Sequence, residues 1–377
     1  MKKQITFLAM MLCIVYVQAQ PLAQPPSGNN QKAKVIQNIG PVEVSIAYSS
    51  PHVHTAQGQD RTDQIWGKLV HYGFADQGFG VKSAPWRAGA NENTVIKFSH
   101  DVKIEGKDLK AGTYGLFLAV AKEGAWTWIF SNNSTSWGSF TYDQKEDALR
   151  VDATPTDAPF TEYLTYGFDD RLPNSATAYL QWEKKRISFK IEAGDVNSVY
   201  VSLMREQLRS FPGFDYRNYS TAANFCATNK INLEEALTWA DKAMDPNFVG
   251  GKKEFNTLQA KSNVLLAMGK NAESDAAMQE AIRLPDAAVG LIHQYGRGLL
   301  NAGQKEKAME VFQFNYKTNL AKDKFTPNVG LARGYTAMGD KKNAIKYWEE
   351  AIKNITDVQK PFLNVYQGEL DKLKSGK

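Results

Sequence analysis

Ile187-Ser188-Phe189-Lys190-Ile191-Glu192-Ala193-Gly194-Asp195-Val196-Asn197-Ser198-Val199-Tyr200-Val201-Ser202-Leu203 contains the point at which the chain changes its pattern. Up to Ile191, apolar and polar residues alternate, as in a strand with one buried face. Past Gly194 the apolar residues fall at Val199, Leu203 and Leu208, which share one face of a helix. With 377 residues the chain is long enough to bury two cores, so a β domain followed by a helical domain is expected.

Upstream of that point, short alternating runs are separated by glycine, asparagine and aspartate. Val42, Val44 and Ile46 alternate with Glu43, Ser45 and Ala47; Val95, Ile96 and Phe98 precede Val102 and Ile104, which lead into a Glu105-Gly106-Lys107 turn. Further runs cover 114–120, 126–130, 163–168, 176–182 and 187–191, each long enough for one crossing of a sheet. Six of the eight tryptophans lie before residue 193, which places an aromatic core in this half. An all-β antiparallel sandwich or flattened barrel over residues 34–192 is the expected product.

Downstream, Phe211-Pro212-Gly213 ends the first helix, so residues 193–216 read as a connecting helix. Alanine-rich helical segments then recur. Ala267-Met268-Gly269-Lys270, Asn301-Ala302-Gly303-Gln304 and Ala337-Met338-Gly339-Asp340 place turn glycines 34 and 36 residues apart. Small residues follow at fixed offsets, as close helix crossings require: Ala308 and Ala344 five after their glycines, Ala281 and Ala351 twelve after, with Phe312 and Trp348 at nine. An earlier unit has Ala236 and Ala243 in matching places with Ile231 where the glycine would stand, and Ser274 and Asn315 depart from the small-residue rule. These periods resemble tetratricopeptide repeats. About four units over residues 217–354, closed by a capping helix near 363–373 within a domain of 217–377, make an all-α repeat array.

The N-terminus reads as a cleaved signal peptide over residues 1–19: Lys2 and Lys3, an apolar run over 5–17, then Val17-Gln18-Ala19. The Pro- and Gln-rich stretch that follows reads as a disordered tether, 20–33. Export to the periplasm or beyond is the expectation. Cleavage would leave Cys226 as the one thiol, so stability must come from core burial. No later run reaches membrane-spanning length.

Charge argues against nucleic acid as a partner. Residues 32–192 carry 18 basic and 19 acidic side chains and residues 193–377 carry 25 and 21, with no lysine cluster interleaved with aromatics. No nucleophile elbow or phosphate-cradling glycine loop occurs, and no cofactor is expected.

In the β half, Tyr48-Ser49-Ser50-Pro51, the nine residues from Trp86-Arg87-Ala88-Gly89 to Thr94, Lys110-Ala111-Gly112-Thr113-Tyr114-Gly115-Leu116-Phe117, Trp137-Gly138-Ser139-Phe140 and the block from Trp182-Glu183 to Phe189 occur in order. Together they resemble the secreted bacterial domain-of-unknown-function family 2911 over about residues 34–192. The resemblance implies an exported β-rich domain of no established activity, sometimes followed by repeats. The segment from His71 to Ala84 is longer and richer in glycine than the family's usual connection.

Trp86, Arg87, Asn91 and Glu92 are the ligand-binding candidates: Trp86 as a stacking platform, Arg87 as a fork for carboxylate or phosphate, and Gly89 as a turn residue. The alternative is that Arg87 pairs with Glu92 or with backbone carbonyls and merely fixes the loop. His52 and His54 would share a strand face, and His71 could add a third nitrogen of a weak metal candidate; solvated loop histidines are the simpler reading. On the helices, Asn263, Arg297 and Arg333 would line one concave wall suited to an extended peptide or an acidic tail, or would be solvated faces of surface helices. Two functions follow: an exported non-catalytic binding or assembly protein, or an extracytoplasmic enzyme of the hydrolase kind built around the Trp86 to Glu92 segment. A pocket where Trp86, Arg87 and Glu92 meet a histidine would favour the enzyme; internal pairing of those groups would favour binding.

Overall fold

The computed structural model describes residues 30–248 and 250–375. The expected signal segment and most of the expected tether lie outside those residues. The chain divides into two compact units between Val196 and Asn197, close to the change of periodicity.

Among the described residues, the first unit has ten strands in two sheets. One has the order β1 (Gln31–Ile39), β2 (Val42–Ser50), β3 (Thr94–Phe98), β6 (Gly112–Ala119), β7 (Trp126–Ser131) and β8 (Asp147–Ala153); the other has the order β5 (Lys107–Leu109), β4 (Val102–Ile104), β10 (Ser175–Glu192) and β9 (Thr156–Leu172). Every neighbouring pair is antiparallel. β1 begins inside the stretch read as tether, because Gln31, Lys32 and Ala33 continue the pairing with Ser50, Ser49 and Tyr48. As an edge strand β1 leaves Gln31 and Lys32 in solvent while Ala33 packs on the core, so polar composition did not prevent a strand here.

Alternation decides which side chains meet between the sheets. Leu116, Leu118, Trp128 and Phe130 from one sheet face Tyr166, Leu180, Phe189 and Ile191 from the other in one buried cluster. Each fully buried side chain of this size is worth roughly 1.5–3 kcal/mol. Phe117, Ala119 and Ile129 point the opposite way, yet they are buried as well, under Ala84 and Tyr142. The loops on either side therefore cover the outer face of the larger sheet. β10 was legible only as two runs, 176–182 and 187–191. They are one strand interrupted by a bulge at Glu183, whose φ of 53° breaks the alternation while pairing with β9 continues. The Glu105-Gly106 turn has both residues at positive φ, the geometry of a tight hairpin.

From α1 (Val196–Gln207) onward the described residues form helices joined by turns. α2 (Tyr216–Asn229) pairs with α3 (Leu233–Met244), α4 (Phe255–Ala267) with α5 (Asn271–Ala281), α6 (Val289–Asn301) with α7 (Lys305–Asn319), and α8 (Thr326–Met338) with α9 (Lys341–Lys353). Gly269, Gly303 and Gly339 all have φ between 76° and 79° and end their helices with the same pair of hydrogen bonds, for example Gly269 N–H to Leu266 O and Lys270 N–H to Leu265 O. In the first hairpin that position is held by Lys230, φ 53°, and not by Ile231. Its turn is one residue longer, with Asn232 also left-handed, which is why the unit fits the later spacing only from Ala236 onward.

Ala236, Ala308, Ala344, Ala281 and Ala351 are completely buried, as close crossings demand. Ser274 fits the same place because its hydroxyl bonds Ser262 Oγ at 2.8 Å across α4 and α5. Asn315 is buried at its place because its amide donates to Val289 O at the start of α6. Phe312 lies in a slot where Gly296, Gly330 and Gly334 leave no room for a side chain. α10 (Leu363–Ser375) packs on α9 and buries Leu370 beside Trp348 and Phe325.

Candidate functional site

The candidate site grows from the end of β3's pairing. Beyond that strand, Trp86 takes its place beside β6, exchanging backbone hydrogen bonds with Leu118 at 3.1 and 2.8 Å. The chain then turns sharply through Ala88 and Asn91, at φ 46° and 57°. Gly89, expected to supply the unusual dihedral, does not. It is required for space instead, since a Cβ there would sit 2.5 Å from Thr94 Oγ1. The Ala88 carbonyl accepts from both Thr94 Oγ1 and the buried Tyr166 hydroxyl, and Trp86 Nε1 donates to Gly89 O at 3.1 Å. These bonds fix the loop on the sandwich.

Arg87 is clamped by the second tryptophan block. Its guanidinium lies over the Phe140 ring, 5.0 Å from the centroid, and against Gly138, whose φ of 63° and missing side chain admit it. Nη1 donates to Asn91 O at 2.5 Å. Ser139 ties the same block down by donating to Pro85 O. Burial lowers the Arg87 pKa from its ordinary value. Arg87 therefore bonds a backbone carbonyl, as one alternative held, but it does not pair with Glu92. Glu92 bonds Lys32 of β1 at 2.8 Å and Ser49, and the Lys32 ammonium holds its carboxyl below the usual range. The Asn91 side chain accepts from Asn30.

Trp86 and Arg87 open onto a cavity of about 270 Å³, to which Asn91 and Glu92 do not contribute. One wall is aromatic: Trp86 and Trp182 stack with ring planes 20° apart, and Trp66 meets both edge-on behind them. The polar lining includes Arg61, Arg87, His71 and Gln77. Arg61 donates from Nε to Val53 O at 3.1 Å and from Nη2 to His52 O. His71 Nε2 faces the Gln77 amide at 3.3 Å, while its Nδ1 is buried without a hydrogen-bond partner among the described residues. Among the described residues, no aspartate or glutamate lines the cavity.

Sequence reasoning missed Arg61, Gln77 and the pairing of Trp182 with Trp86. Trp182 stood in a recognisable block but gave no sign of its partner. Arg61 and Gln77 come from the irregular segment between β2 and β3, whose only order is isolated bridges such as Ala75 with Ala84.

The three histidines have separate partners. His52 stacks on Tyr163 with ring planes 8° apart. His54 bonds Glu162 at 2.7 Å and lies 3.4 Å from Asp60, and the Glu162 bond raises its pKa above the ordinary imidazole value. His71 belongs to the cavity. Among the described residues no three metal-ligating side chains are gathered for an ion.

On the helices, Asn263 of α4 donates to Asn224 of α2 at 2.9 Å. Arg297 and Arg333 come close enough to each other and to His293 to act electrostatically on the imidazole. Arg333 is half-buried over the Trp348 ring, 5.6 Å from its centroid, with Nε unpartnered among the described residues, and Arg297 is exposed. Burial, aided by the two guanidinium groups, depresses His293 to about 4. The structure thus brings two of the three groove candidates near each other and near His293.

Residues 30–191 match a family model described as "Protein of unknown function (DUF2911)". That match covers the β unit. No curated protein matches the chain.

Proposed function

We propose that this chain is an exported, non-catalytic binding protein whose β domain holds a small ligand in the Trp86/Trp182 cavity. The helical hairpins, tetratricopeptide-like in their period, would dock a peptide or acidic tail along Arg297 and Arg333. The signal-like N-terminus supports export. One observation carries the ligand-binding reading: the cavity combines a two-tryptophan wall with cationic and amide donors and no carboxylate. Such a lining recognises and orients a ligand, but it lacks the acid–base pair that an acid–base hydrolase needs. Glu92, the carboxylate on which the hydrolase reading depended, is engaged by Lys32 outside the cavity.

The test is to incubate the full chain with a library of small metabolites, reading thermal stability and the mass of every recovered compound. The proposal expects at least one compound that raises the melting temperature and is recovered unchanged, with the rise abolished in Trp86→Ala. Turnover of a bound compound would return the enzyme reading. Absence of any stabilising compound would remove the cavity as a ligand site.

A further inference from the structure

Both arginines at the cavity lack an acidic partner: among the described residues, no carboxylate lies within 4 Å of the Arg61 or Arg87 guanidinium. Arginine is almost never fully buried unless paired, and these partly buried guanidinium groups would gain from an anion. Each guanidinium carries five N–H donors. The backbone carbonyls of Val53 and His52 engage two of the five on Arg61, and Asn91 O engages one on Arg87. His71 Nδ1 is a further buried polar atom without a partner among the described residues.

We propose, on the basis of the cavity being a binding site, that its ligand is a small aromatic carboxylate. The carboxylate would take the remaining guanidinium donors, and the flat ring would lie against Trp86, on which the buried Trp182 is stacked. Size agrees: about 270 Å³ is at or below the lower end for drug-sized ligands, so the occupant is a single ring with a short acidic arm. Guanidinium groups pair bidentately with phosphate as well as with carboxylate, so inorganic phosphate is the competitor that the experiment must exclude.

The experiment titrates the full chain with benzoate, phenylacetate, benzamide, cyclohexanecarboxylate and inorganic phosphate, following tryptophan emission and heat. Expected is saturable binding of benzoate or phenylacetate. Benzamide, which keeps the ring and loses the charge, should bind at least about tenfold more weakly, as should cyclohexanecarboxylate, which keeps the charge and loses the π face. Because Arg61 and Arg87 both also bond loop carbonyls, the residue-level arm uses Arg61→Gln, which keeps an amide donor, with the melting temperature confirming folding. A folded Arg61→Gln should lose about tenfold in affinity for the carboxylates and little for benzamide. Equal binding of benzoate and benzamide overturns the anion, and binding of phosphate alone overturns the aromatic carboxylate. Failure of every carboxylate while a library compound still binds in a Trp86-dependent way overturns this ligand class and leaves the binding reading standing.

Discussion

Replacing Gly138 by alanine should loosen the site through Arg87, and by an amount the geometry sets. Gly138 has φ 63°, where a side chain costs roughly 1–2 kcal/mol. A Cβ there would also lie within 2.5 Å of Arg87 Nε and closer still to Cζ and Nη1, so the guanidinium must leave its place against Phe140. Leaving it breaks the bond to Asn91 O, for which about 1 kcal/mol is a fair figure at a half-exposed group. The total is about 2–3 kcal/mol. Gly58→Ala is the control: it has φ 81° with no atom within 4 Å of the new Cβ, so it carries the backbone cost alone. Urea unfolding followed by tryptophan emission reads the β unit preferentially, since six of the eight tryptophans lie there. Gly138→Ala should exceed Gly58→Ala by about 1 kcal/mol, and the excess should vanish in an Arg87→Ala background. Equal costs at the two glycines, or an excess that survives removal of Arg87, would refute the wedge.

Three further outcomes follow from the same structure. His54 should titrate above the ordinary imidazole value by NMR, because its charged form bonds Glu162, and Glu162→Gln should bring it back. For His293 the sign is opposite: its folded pKa of about 4 lies below the unfolded value, so the unfolded chain binds more protons on acidification. The stability it contributes, at most about 3 kcal/mol, is present above pH ~6.5 and is lost as pH falls toward about 4. His293→Gln should flatten that part of the helical unit's pH–stability curve measured by circular dichroism. Ser262→Ala and Ser274→Ala should each cost about 1–2 kcal/mol in urea unfolding, and the double variant less than their sum, since removing both hydroxyls leaves neither unsatisfied.

What was legible follows from periodicity. Half-buried strands such as β2 and β3 alternate cleanly, and left-handed glycines at Gly269, Gly303 and Gly339 mark helix ends whatever the surrounding packing. What was not legible depends on contacts between distant residues. Trp86 and Trp182 stack across 96 positions, and Arg87 meets the Gly138 block through space. The Lys32–Glu92 pair could not be anticipated while Lys32 was read as tether, since only the edge pairing of β1 brings it there. The Glu183 bulge hid a continuous strand for a related reason: a positive φ at a non-glycine residue leaves no mark in the sequence.

The most direct test of the account is a crystal structure of the full chain grown with 3-bromobenzoate, with the bromine located by anomalous scattering. The expected result is a bromine peak against Trp86 and the carboxylate between Arg61 and Arg87. A cavity holding solvent alone at saturating 3-bromobenzoate, or a ring bound there with its carboxylate turned away from both arginines, would contradict it.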